Sequence, residues 1–498
     1  MRPFYLTTTL PYVNAEPHIG FAFELVFADI IARYQRIAGR EVFLNTGTDE
    51  HGIKIYRKAQ EAGKEPQPYV DEYAAKYRML LSALGISESV NFIRTTDDSH
   101  KQAAQEFWKR CKQNGYIYKK PYKIKYCVGC ELEKTDSELE NGLCPLHPSQ
   151  PLEMIEEENW FFKLSDQRIV RFLCSLYERT DFVVPDFRLN ELRSLMRGKG
   201  LEDFSISRLK AKMPWGVSVP DDPDQVMYVW MDALVNYISA IGWPRDMERF
   251  NRWWVESGGV VQFAGKDQVR QQAAMWQAML FAAGLPPSKQ IVIHGFIQSG
   301  GEKMSKSLGN TIDPFALVKE YGTDAVRFYL ARHIHPFEDS DFTLAKFKEA
   351  YNADLANGLG NLVSRVLTMR VAYFQRADIE VWREMGSSEK ASLFLLSDNM
   401  KHNLSRFYEQ HLNNYEIQSA INILWGCIRD ADEYIAKYEP FKLIKIDVKK
   451  TKRIIWELVN CLEFISDKLS PFMPQTAQDI QKLILDKKIP DKPLFPRK

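Results

Sequence analysis

At 498 residues, with 45% hydrophobic and 26% charged side chains, the chain has the composition of a globular protein and is too long for a single core, so roughly two to four domains are expected. No apolar run is long enough to span a bilayer, and the opening residues Met1 to Leu6 lead into a strand-like stretch with no signal-peptide pattern, so a cytoplasmic protein without membrane contact is expected. A net charge of +1 argues neither for nor against a nucleic-acid partner.

Residues 4–10 alternate and are rich in threonine, as a strand would be. Residues 11–17 are turn-rich, and 19–38 carry helical periodicity through Phe23, Phe27, Ile30, Ile31 and Tyr34 until Gly39 stops them. A short strand over 41–44 then ends in Thr46-Gly47-Thr48-Asp49-Glu50-His51-Gly52. This β-loop-α-β pattern puts its polar residues at strand C-terminal ends, where open parallel sheets bind ligands.

Residues 68–114 read as helical and polar, and 118–160 as short strands and turns carrying cysteines. The apolar runs at 226–230 and 291–295 have the pattern of buried strands, which predicts that the sheet resumes after an inserted domain. Beyond 345 nearly every segment is helical in period: 355–369, 391–412, 417–437 and 454–469. The expected organisation is a Rossmann-like parallel-sheet domain split by an insertion, followed by an all-α bundle. Its boundaries are 1–115 for the first half-domain, 116–214 for the insertion, 215–297 for the second half, 298–345 for a loop and stem-contact region, and 346–498 for the bundle.

The cysteines divide by spacing. Cys111, Cys174, Cys427 and Cys461 stand singly in apolar or helical contexts and read as reduced core residues. Cys127-x-x-Cys130 and Cys144-x-x-His147 form two ligand pairs, with Gly129, Gly142, Pro145 and Pro148 for tight turns. Three thiolates and one imidazole make a closed tetrahedral shell, which suits structural zinc. The alternative, a redox pair, lacks the helix-start context that activates a thiol.

Two further motifs carry the functional reading. Lys303-Met304-Ser305-Lys306-Ser307, flanked by Gly300, Gly301 and Gly309, puts two ammonium groups on a glycine-bordered loop suited to a polyphosphate. Pro17-His18-Ile19-Gly20 puts an imidazole at a helix start, where free N–H groups and the helix dipole favour anions. In this order the two motifs resemble the HIGH and KMSKS signatures of class I aminoacyl-tRNA synthetases. The residues around them resemble the methionyl branch of that family, over about residues 4 to 470.

The resemblance implies that L-methionine and ATP form methionyl-adenylate, which charges tRNA(Met), with Mg²⁺ accompanying the ATP. By the same resemblance His18, Lys303 and Lys306 stabilise the phosphates. Gly20, Glu24, Gly265, Asp267, His294, Gly295 and Ser305 bind the nucleotide, and Leu10, Tyr12, Asp49, Trp230, Tyr237 and Trp276 form the methionine pocket. Asn361, Arg365 and Phe441 meet the anticodon, beside a basic stretch (Lys442, Lys445, Lys449, Lys450, Lys452, Arg453) around the single acid Asp447. The chain departs from the family pattern at Phe21 and Phe441, where a histidine and a tryptophan are usual. It departs also at Gln271-Gln272, where a Phe-His pair is common and a more polar pocket wall is expected, and at His147, which replaces a cysteine. An impaired tRNA-binding paralogue and a synthetase for another aliphatic amino acid are the alternatives. A chain ending soon after the bundle is expected to be monomeric.

Overall fold

The computed structural model describes residues 3–130, 132–134, 138–198, 200–304, 310–374 and 396–498. The chain falls into two compact units, one of Met1–Pro17, Gln35–Ser82 and Ser87–His294, the other of His18–Tyr34, Ala83–Ile86 and Gly295–Lys498.

The first unit is built on a six-stranded sheet. Its strands are β1 (Phe4–Thr7), β2 (Val42–Thr48), β3 (Asn91–Arg94), β4 (Val183–Val184), β5 (Val261–Gly265) and β6 (Gln290–His294), in the order β3-β2-β1-β5-β6-β4. Every neighbouring pair is parallel. β1 and β5 are buried along their whole length, as strands covered on both faces must be. The chain order reverses between β1 and β5, and a doubly wound sheet opens its ligand crevice at such a switch point, beyond the strand C-termini.

Three expectations need correcting. β3 interrupts the stretch read as wholly helical, because Asn45, Thr46, Gly47 and Thr48 of β2 pair with Asn91, Phe92, Ile93 and Arg94. The sheet resumes at β5, not at 226–230. Asp222–Met227 instead lies in a separate antiparallel sheet with Ser207–Leu209 and Ser218–Val219, and the chain then turns into the helix Val229–Ala233. β4 lies inside the segment read as an insertion, yet Val183 and Val184 pair with Ile291 and Val292 of β6.

Around β4 the intervening segment forms a long antiparallel pair, Ile117–Cys127 against Glu153–Phe162, with short strands Leu132–Lys134 and Phe204–Ser205 at its edges. Cys111, Cys427 and Cys461 are buried as expected, but Cys174 is exposed. It lies on the helix Gln167–Glu178, whose buried residues are Ile169, Leu173, Leu176 and Tyr177.

The second unit takes most of helix α1 (Ile19–Ile37), a small sheet (Ile297–Ser299, Glu302–Lys303, Ser340–Asp341) and the C-terminal helices, among them Ile417–Tyr438, Val448–Leu469 and Pro474–Asp486. One buried charge organises its interior. The Arg327 guanidinium donates to the carbonyls of Phe472 (2.8 Å), Leu84 (3.1 Å) and Pro471 (2.9 Å) and pairs with Asp29 of α1 at 2.8 Å. Asp29 also accepts from Arg33 at 2.7 Å. Among the described residues, no helix is long and apolar enough to cross a membrane.

Candidate active site and metal centre

In the first unit, the loops after β1 and β2 lie side by side. Asp49 N–H donates to the Pro11 carbonyl (3.0 Å) and Val13 N–H to the Asp49 carbonyl (3.1 Å), so Tyr12 and Asp49 form an isolated parallel bridge. Tyr12 packs with Trp230, Tyr228, Val229 and Ala233 in one small apolar cluster. Trp230 also joins the larger core that contains Tyr237 and Trp276, whose rings meet edge to face at 5.8 Å. Trp230 thus links the small cluster that carries Tyr12 to the core that holds Tyr237 and Trp276, while Asp49 is buried beside Tyr12 and Leu10 follows β1 on the same loop. Trp230 sits in the helix Val229–Ala233 and not at a strand end as expected.

Buried polar groups that the sequence reading did not single out hold this region. His51 Nδ1 meets Asp232 Oδ2 at 2.6 Å, and His100 Nε2 meets Asp232 Oδ1 at 2.9 Å, while His100 Nδ1 contacts Ser239 Oγ at 2.9 Å. Burial would raise the Asp232 carboxyl, but the two imidazoles win and hold it at about 2. Glu50, with its side chain fully buried, accepts a bidentate pair from Arg94 (2.7 and 2.9 Å) and bonds from the Thr48 and Thr96 hydroxyls. These contacts fix the loop 48–52 and the helix carrying Trp230. A polar Asp-Glu-His run at a strand end was the available signal; the distant partners gave none.

Gln272, one of the pair expected to make the pocket wall more polar, is bonded within the buried interior. Its side-chain carbonyl accepts from Gln262 (2.8 Å) in a buried network with Gln277 and Ser288. Gln271 is buried too.

The nucleotide candidates divide between the units. In the first, Gly265 and His294 are register partners at the C-terminal ends of β5 and β6, and Asp267 lies in the turn Lys266–Gln268 that follows. In the second, His18 opens α1. Its carbonyl accepts the Phe21 and Ala22 N–H groups at 3.1 Å, and its Nδ1 accepts the Gly20 N–H at 3.1 Å. With Nδ1 acting as acceptor, the neutral ring carries its proton on Nε2. A Cβ on Gly20 would meet the His18 ring at 3.0 Å, so the close approach favours glycine. Glu24 is buried one turn on.

Ile19 N–H donates to the Ile312 carbonyl at 3.2 Å, which puts the start of α1 against the segment following the lysine signature. Lys303 ends the strand Glu302–Lys303, whereas Ser305 and Lys306 lie outside the described residues. Gly295 is packed so closely that a Cβ would stand 2.1 Å from the Glu338 carbonyl oxygen.

Cys127, Cys130, Cys144 and His147 converge with all ligand atoms within 4.8 Å of one another. Cys130 Sγ is 3.4 Å from Cys144 Sγ, and His147 Nδ1 is 3.1, 3.8 and 4.0 Å from the sulfurs of Cys130, Cys127 and Cys144. A tetrahedral zinc with bonds of about 2.3 Å to sulfur and about 2.0 Å to nitrogen needs separations of about 3.5 to 3.8 Å. The donor set and its spacing fit that ion. A Cβ on Gly129 would meet the His147 ring at 2.5 Å, so the knuckle needs glycine there to admit the imidazole.

Of the anticodon candidates, Asn361 is exposed and Phe441 is 46% exposed. The Arg365 guanidinium pairs with Asp432 at 2.9 Å, and burial pushes the Asp432 carboxyl up against the pull of Arg365. Asp447 caps the helix Val448–Leu469 by accepting the Lys450 N–H.

Comparison with known proteins gives the class first. A family model described as tRNA synthetases class I (M) matches residues 4–151 and 130–367. A methionine–tRNA ligase of Thermotoga maritima is 40% identical over 98% of this chain and 76% of its own length. That of Thermosynechococcus vestitus is 38% identical over 96% of this chain and 89% of its own. A solved Mycobacterium tuberculosis methionyl-tRNA synthetase in complex with methionyl-adenylate superposes with a TM-score of 0.86 at 34% identity, over 97% of this chain and 94% of that one. The chain belongs to the methionyl family of class I tRNA synthetases.

Proposed function

We propose that the chain is an ATP-dependent methionine–tRNA ligase. A methionine carboxylate oxygen bonds to the α-phosphorus of ATP as the bond to the β-phosphate breaks, releasing pyrophosphate. The 2′-hydroxyl of the terminal adenosine of tRNA(Met) then takes the acyl group and AMP leaves. The carboxylate is already ionised at neutral pH, so the protein's task is alignment and charge stabilisation. The observation that carries this reading is the Tyr12–Asp49 bridge that follows β1 and β2, with Trp230 packed on the same small apolar cluster as Tyr12 and also on the core that holds Tyr237 and Trp276. Aromatic edges suit a thioether, and the carboxylate suits the substrate ammonium.

Gly265, Asp267 and His294 hold the adenosine, with Gly295 beside them. His18, Lys303 and Lys306 act on the phosphates, with Gly20, Glu24 and Ser305 supporting them, and Mg²⁺ accompanies the ATP. Asn361, Arg365 and Phe441 read the anticodon, Phe441 by stacking. The protein works as a monomer in the cytoplasm. Methionine-dependent exchange of pyrophosphate into ATP tests the reading. Exchange driven by methionine supports it. Binding of tRNA without exchange marks an impaired paralogue, and exchange driven better by another aliphatic amino acid refutes the substrate.

Cys127, Cys130, Cys144 and His147 hold structural zinc, which neutralises the thiolates and closes the knuckle. One zinc per chain is expected by elemental analysis. Chelator treatment should release it and expose 117–162 to protease, with His147→Ala lowering zinc occupancy further. Stoichiometric retention by a Cys130→Ala, Cys144→Ala double variant would contradict this ligand set.

A further inference from the structure

The lysine signature is reached through a hairpin in which Gln298 pairs with Lys303 and Ser299 with Glu302. Its two turn residues, Gly300 and Gly301, have φ of 65° and 78°, as a type I′ turn requires at both central positions. A Gly-Gly turn carries little intrinsic backbone restraint, so contacts from outside the hairpin add to what the strand pairing holds.

The restraint comes from residues 338–346. Ser340–Asp341 runs parallel to Ile297–Ser299, with Ser340 N–H on the Phe296 carbonyl and Phe342 N–H on the Gln298 carbonyl, both at 2.9 Å. Asp339 Oδ1 accepts the Phe296 N–H at 3.0 Å. The Asp341 carboxylate then reaches the turn itself. Its Oδ1 accepts the Gly301 N–H at 3.0 Å, and its Oδ2 accepts from Lys346 Nζ at 2.8 Å. Lys346, followed by the Gly301 amide, holds the carboxyl below its ordinary range, so it is ionised at neutral pH. Lys346 is itself steadied at the start of the helix Leu344–Ala350, where its N–H bonds to the Thr343 hydroxyl.

We infer that Asp341 is a positioning residue for methionine activation: by fixing the Gly300–Gly301 turn it sets the backbone from which Lys303 is presented. This rests on the ligase reading and adds a component to it. Asp341 acts through the hairpin and is given no contact with substrate. A charge-assisted bond to a backbone amide is stronger than a neutral one, and a catalytic group misplaced by about 1 Å costs roughly 10²-fold in rate.

The test is pyrophosphate exchange by the full-length chain, measured first for the wild type. No methionine-driven exchange there refutes the ligase reading, and this inference with it. Given an active wild type, Asp341→Ala should lower kcat by roughly 10- to 100-fold with the methionine KM unchanged, since none of the pocket candidates lies in the hairpin. Asp341→Asn, which keeps an oxygen acceptor for Gly301 but loses the charge, should restore part of the loss, and Lys346→Met should give a smaller one.

Wild-type kcat in Asp341→Ala overturns the inference while leaving the ligase reading intact. A loss that Asp341→Asn does not relieve overturns it too, as does one accompanied by a rise in methionine KM and a lower melting temperature. If Asp341→Ala fails to fold, Lys346→Met decides, because its side chain is 57% exposed. An unchanged kcat in that variant overturns the inference.

Discussion

Alanine in place of His18 should lower kcat for methionine-dependent pyrophosphate exchange by about 10²- to 10³-fold, the range for losing one donor aimed at developing charge. The imidazole sits at the exposed start of α1, with Nδ1 bonded to the Gly20 N–H at 3.1 Å, leaving Nε2–H as the donor. Helix dipole and backbone amides persist in the variant, so catalysis falls without vanishing. Dependence on this ring is sharpened by Phe21, which has no side-chain donor where the family usually has a second histidine. The methionine KM should stay within about twofold, because a group acting on the phosphates contributes to the transition state and little to amino-acid binding. Exchange at more than a tenth of the wild-type rate would remove His18 from the role proposed for it.

The largest stability effect is expected at Arg327. Alanine there removes the Arg327 charge from beside the buried Asp29, which keeps its bond from Arg33, and takes the guanidinium donors from the carbonyls of Leu84, Pro471 and Phe472. Breaking a buried pair in this way costs about 3 to 5 kcal/mol. Lysine should recover little, since one ammonium cannot reproduce the planar fork that bonds four groups. Thermal melting of the intact chain measures this, and a midpoint unchanged by Arg327→Ala would mean that the node contributes no net stability. Melting of Arg327→Ala in two separated steps would show that this residue also keeps the unit's folding cooperative.

Features set by short-range chemistry were legible in the sequence. The apolar period of α1 and its stop at Gly39 put that helix within a residue of its observed ends. The convergence of Cys127, Cys130, Cys144 and His147 was legible because a metal-ligand pattern ties residue type to spacing. The β3 strand was not, since Asn91-Phe92-Ile93-Arg94 is half polar and owes its conformation to pairing with β2. The run 226–230 misled because apolar residues bury equally well in a strand and in the helix that follows. Around the candidate site, the buried supports were not readable. His51 and Asp232 are 181 positions apart, and His100 and Asp232 are 132; no local pattern encodes such a meeting. Nor did any local pattern reveal that Gln272 would bond to Gln262 on β5.

The two-residue strand β4 has a practical consequence for anyone wishing to trim this protein. The segment between the half-domains cannot be cut out as a self-contained cassette, because Val183 and Val184 cover the outer side of β6. A shortened chain that joined residue 115 to residue 215 would bare a row of ladder groups on an apolar strand, inviting intermolecular pairing. A deletion that spares 180–186 should stay soluble where the wider excision precipitates.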